Sequence, residues 1–181
     1  MKSTLVMLAL SILSVSMIAQ TYSRKYDASE NIIDWPDLFD PQKSDFYVHN
    51  EIEINASPES VWQLLVHAKN WPTWYDGIQD IRFEHSEQEK LTLYTKVFWR
   101  SMGQSLNNEI THFEANKSLA WQFNEEKIQG MHAWVIIPTV YGCKVITDES
   151  QNGRLARLQK IFIPRRLMKQ HNNWLKLLKH H

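Results

Sequence analysis

Four polar residues stand where their types permit chemistry: Glu109, His112, His132 and His171. His132 lies in an apolar run with Ala133, Trp134, Val135 and Ile136. His171 lies in a stripe of Leu167, Met168, Trp174, Leu175 and Leu178 at helical spacing. An imidazole on an apolar face is either a core residue hydrogen-bonded to backbone, or a group that orients a ligand carbonyl and moves a proton near neutral pH. If both point inward they face each other across an interior cavity, and His132 and His171 are then the candidates for a catalytic role. Glu109 and His112 fall on opposite faces of a regular strand, so they are not expected to pair.

Other chemistries lack their residues. There is no G-x-S-x-G nucleophile turn, no G-x-x-x-x-G-K phosphate loop, no G-x-G-x-x-G dinucleotide turn and no H-E-x-x-H. The chain has one cysteine, Cys143, and of its eight histidines only His180 and His181 are adjacent, so no metal site and no cofactor are expected. The formal net charge of zero argues against a nucleic-acid partner. Eight Trp, seven Phe and six Tyr supply large rings that serve either as core or as the walls of an apolar pocket. Trp74, Tyr75, Tyr94, Trp99, Trp121, Trp134 and Trp174 are the candidate ligand-binding aromatics, beside His132 and His171.

The elements that must position these residues follow from pattern. Residues 1–19 carry Lys2 and an apolar run, and read as a signal peptide for export to the periplasm or the exterior, with an N-terminal membrane anchor as the alternative. Residues 20–45 read as an acidic linker or arm that wraps loosely on the surface, with Ile32, Ile33, Trp35, Leu38 and Phe39 available to anchor it locally. The domain proper spans 46–181. It opens with a strand over 46–55, and Ser57-Pro58-Glu59 then starts a helix by capping, fixed φ and dipole charge. Asn70-Trp71-Pro72 begins a second short helix. Period-two stretches predict strands over 79–86, 90–99, 104–114, 118–125, 130–138 and 142–150, with all five glycines between elements. A long amphipathic helix closes the chain, kinked or restarted at Pro164. The expected class is α+β: a curved antiparallel sheet, β-α-α-β6-α, wrapped around a long C-terminal helix.

Four strings in this order resemble the START-like (SRPBCC, helix-grip) superfamily, and its polyketide cyclase/dehydrase-like members in particular. They are residues 51–62 (EIEINASPESVW), 71–78 (WPTWYDGI), 113–121 (FEANKSLAW, with Asn116 where a proline is common) and 142–150 (GCKVITDES) followed by the stretch 153–179. The resemblance implies a hydrophobic tunnel between sheet and last helix that binds or transports an apolar small molecule or lipid. The alternative is a cyclase- or dehydratase-like enzyme using a pocket histidine. A third reading is an adaptor whose cavity is filled by its own side chains. From Ser150 onward there are eight Lys or Arg and no acid, so the basic C-terminal helix either contacts an anionic membrane surface or presents a solvated face.

Overall fold

The computed structural model describes residues 21–23 and 32–181; the apolar run read as a signal peptide and residues 24–31 of the arm lie outside them. Helix α1 (Pro58–Val66) starts as its sequence dictates, with Ser57 Oγ accepting the Ser60 backbone N–H at 3.3 Å and Pro58 in the first turn. Val61, Trp62, Leu65 and Val66 form its buried face.

Eight strands form one sheet: β1 (Thr21–Ser23), β2 (Phe46–Ile54), β3 (Ile78–Phe83), β4 (Lys96–Ser101), β5 (Gln104–Glu114), β6 (Ser118–Glu125), β7 (Ile128–Thr139) and β8 (Gly142–Asn152). Their order is β1-β2-β8-β7-β6-β5-β4-β3, and every pairing is antiparallel. The meander from β3 to β8 is the expected one, and β2 lies against its last strand. Helices α2 (Arg154–Phe162) and α3 (Arg166–His180) follow, so the C-terminal helix is in two pieces, broken around Pro164.

The inner face of the sheet carries Phe46, Val48, Ile52, Trp99, Ile110, Leu119, Trp121, Trp134 and Val145, packed against α1 and the stripe of α3. The other face has its own smaller cluster. There Ile33 and Phe39 of the arm cover Ala120, Met131, Ala133, Val135 and Ile146. The arm therefore seals the back of the sheet instead of wrapping loosely. Asp45 fastens its end, accepting from Gly153 N at 2.9 Å and Arg157 Nη1 at 2.8 Å.

Several expectations are corrected. The second short helix is a 3-10 segment, Ala68–Thr73, with Pro72 inside it. The stretch 90–95 is not strand. Thr95 Oγ1 accepts the Thr92 N–H at 2.9 Å, and this turn delays β4 to Lys96. A register shift between Ile110 and His112 bulges β5, so Glu109 and His112 share the outer face, opposite Gln122 and Ala120. Asn116 has φ +63°, which proline cannot adopt, so the hairpin differs from the proline version. Gly130 lies inside β7, not at a joint: a Cβ there would meet Phe123 Cζ at 2.5 Å. Gly142 is held harder still. With φ +153°, its Cβ would stand 2.1 Å from the Ile54 carbonyl oxygen and 2.8 Å from Ala56 N. Gly142→Ala should lower stability by about 1–3 kcal/mol, the range for forced overpacking, read as a fall in urea midpoint at constant m. An unchanged midpoint would contradict this close approach of the β7–β8 hairpin to the end of β2.

Candidate functional site

β7 and β8 meet through a tight hairpin in which Thr139 pairs with Gly142, and that register sets His132 directly opposite Glu149. Both side chains point to the inner face, where α3 brings His171 down onto them. Glu149 Oε2 lies 3.1 Å from His132 Nδ1 and 3.1 Å from His171 Nε2. The two imidazoles stack with centroids 4.6 Å apart. All three residues are buried: His132 is 4% exposed, Glu149 7% and His171 1%.

The surrounding polar groups fix the cluster. The amide of Gln151, two residues along β8 on the same face, donates to Glu149 Oε1. Thr147 Oγ1, two residues the other way, lies 2.6 Å from His132 Nε2. Burial opposes charge on Glu149, but hydrogen bonds from His132 and His171 outweigh it and hold the carboxyl well below the usual carboxylate range. Burial also lowers the pKa of His132, against the pull of Glu149. The consistent state is an ionised Glu149 with His132 neutral, each imidazole directing a ring N–H at the carboxylate. Among the described residues the ion partners of this carboxylate are these two imidazoles, with no lysine or arginine.

The cluster forms one wall of an interior cavity of about 50 Å³ between the sheet and the two C-terminal helices. Trp99, Trp121, Phe123, Leu167 and Trp174 supply its apolar walls, and Gln159 and Gln170 add amides. Ser101, Met102 and Gln170 are shared with an open depression of about 320 Å³ that also carries Asp76, Arg100 and Arg166. This depression, a vestibule, adjoins the cavity.

Of the sequence candidates, the structure brings His132, His171, Trp99, Trp121 and Trp174 to the cavity. Tyr75 and Trp134 are core: Tyr75 stacks on Trp174 at 4.5 Å, and Trp134 lies 5.0 Å from it. Trp74 packs beside Tyr75 and His181, away from the cavity. Tyr94 is 71% exposed at φ +64° in the turn before β4 and lines no part of the site. His112 bonds Ser118 Oγ at 2.7 Å on the outer face, and Glu109 is exposed there. Cys143 is fully buried and its thiol pKa is pushed up to about 11, which makes it a poor nucleophile at neutral pH. Sequence reasoning missed Glu149 and its neighbour Gln151, because the run 147–151 (TDESQ) reads as a solvated strand.

The curved sheet, the gripping helix and the polar-walled interior cavity define a helix-grip protein. The sequence profile of the family described as polyketide cyclase / dehydrase and lipid transport matches residues 46–165, and the chain belongs to that family. Among solved structures, it is similar to a hypothetical protein from Helicobacter pylori: 26% identity, TM-score 0.78, covering 86% of this chain and 98% of that one. It also shares its fold with the di-domain ARO/CYC protein StfQ of the steffimycin biosynthetic pathway, at 10% identity and TM-score 0.60 over 74% of this chain and 50% of that one. A third likeness is norcoclaurine synthase from Thalictrum flavum in complex with dopamine and hydroxybenzaldehyde, at 12% identity and TM-score 0.57 over 99% and 95% of the two chains. No curated protein matches the chain significantly.

Proposed function

We propose that this protein binds a small molecule, about one ring in size, whose body occupies the vestibule and whose polar head reaches Glu149, His132 and His171. The observation that carries the reading is the pairing of a charged, buried cluster with a cavity of about 50 Å³ that shares its wall with a vestibule of about 320 Å³. An ordinary small-molecule pocket runs from roughly 300 Å³ upward, so an enclosed long-chain lipid does not fit and a short head group does. The family's fold admits ligands of this scale, since norcoclaurine synthase is bound to dopamine and hydroxybenzaldehyde. Trp99, Trp121 and Trp174 line the cavity and report on it. Phenol-sized ligands should quench tryptophan emission saturably, and palmitate should neither quench nor compete. Saturable palmitate binding with no response to phenols would overturn the reading.

One surface observation favours a second, compatible reading, in which the ligand is collected at an anionic membrane. Ile161 and Phe162 at the end of α2 are 68% and 73% exposed, and Leu158 and Ile163 are exposed beside them. Exposed Arg154, Lys160, Arg165, Arg166 and Lys169 flank this patch in the chain, and Gln159 and Leu167 of the same stretch line the cavity. Apolar insertion flanked by cations suits such a surface. The chain should float with vesicles containing phosphatidylserine at low salt, and the double variant Ile161→Ser/Phe162→Ser should not. Equal flotation of the two would remove this reading.

A further inference from the structure

We propose that His132, Glu149 and His171 form a binding site for one divalent transition-metal ion of the zinc type. Nδ1 of His132, Nε2 of His171 and a carboxylate oxygen of Glu149 lie within 4.8 Å of one another, and both nitrogen–oxygen separations are 3.1 Å. A tetrahedral ion with bonds of about 2.0–2.1 Å spaces its ligand atoms by about 3.3 Å. The two nitrogen–oxygen edges match that spacing, and the two nitrogens, within 4.8 Å of each other, close on the ion by small side-chain rotations. Two imidazoles and one carboxylate select a borderline ion over magnesium or calcium, which take all-oxygen shells.

The outer partners of His132 and Glu149 agree with this assignment. A ligating imidazole directs its other ring N–H to an oxygen, and Thr147 Oγ1 stands 2.6 Å from His132 Nε2 to receive it. Gln151 holds the second oxygen of Glu149, which orients the carboxylate. Three ligands come from the protein, all on the cavity wall, so the fourth position opens into the cavity. A metal site of that kind keeps a water or a ligand atom in that position. The assignment rests on the proposed function only for what fills this position.

The test uses the full chain, stripped with chelator, dialysed against zinc and measured for bound metal. One zinc per chain is expected, retained in His180→Ala/His181→Ala. Affinity should fall about 10-fold in Thr147→Val and about 100-fold in His171→Ala. Should His171→Ala fail to fold, the wild-type chain loaded with cobalt(II) decides, since it must show the intense visible bands of four-coordinate cobalt. Absence of stoichiometric zinc, loss of zinc with the terminal histidines, or a six-coordinate cobalt spectrum would overturn the site. Quenching by phenols without zinc uptake overturns the metal site alone. Zinc uptake without quenching leaves it standing and overturns the ligand reading.

Discussion

Replacing His171 by alanine lowers the stability of the metal-free chain by about 3–5 kcal/mol, the cost of leaving a buried carboxylate without one of its partners. Glu149 is 7% exposed and, among the described residues, no lysine or arginine pairs with it, so the lost donor is not replaced. Glu149→Gln alone costs less, about 1–3 kcal/mol, because it removes the charge together with the need to neutralise it. The double variant Glu149→Gln/His171→Ala should therefore lose less than the sum of the singles, with a coupling of at least about 1 kcal/mol in a denaturation cycle.

The pH dependence has a defined sign. The pKa of Glu149 is depressed in the folded state from its ordinary 4.5, so its contribution is present above that value and is lost as pH falls below it. His132 is lowered from 6.5, so protonation of the unfolded chain also costs stability on the acid side. Wild-type stability should decline on acidification. The gap between wild type and His171→Ala should narrow below about pH 4.5, because that variant has lost much of what holds the carboxyl down. Additive singles with parallel pH profiles would mean that the three groups do not act as one cluster.

The second large effect is at Trp174. Its ring stacks on Tyr75 at 4.5 Å and meets Trp134 at 5.0 Å and Trp71 at 5.1 Å, so one side chain of α3 touches rings from both the 3-10 turn region and β7. Trp174→Ala should cost about 3–5 kcal/mol. The void it leaves is bordered by the rings of Trp71, Tyr75 and Trp134, and an apolar void takes up benzene. Benzene should then raise the melting temperature of Trp174→Ala and leave that of wild type unchanged. A loss below about 1 kcal/mol would show that α3 is not seated by this residue.

The residues that announced the fold were those whose reasons are local. Ser57-Pro58-Glu59 starts α1 by capping and fixed φ, whatever surrounds it. The apolar stripe of α3, with His171 in its middle, needed only helical spacing. Residues governed by distant partners were harder to read. Tyr94 sits in an apolar-looking stretch, and only the Thr92–Thr95 turn sends it to solvent. Glu149 looked solvated because β8 carries Thr, Asp, Glu, Ser and Gln in succession, and yet that strand is buried on both faces by α3 and by the arm. The signal for it was present in the hairpin. Once Thr139 pairs with Gly142, antiparallel register alone sets Glu149 against His132. What no local rule supplies is the docking of α3, which brings in His171 and completes the cluster.

In the proposed function a small molecule seated in the vestibule reaches Glu149, His132 and His171 through the space between sheet and α3. Native mass spectrometry of the chain purified from its own host tests it most directly, comparing wild type with Leu106→Trp, a substitution that fills the cavity from β5. One small organic adduct is expected on the wild-type chain and none on the folded variant. A bare wild-type chain, a long-chain lipid, or an adduct that survives in Leu106→Trp would contradict it.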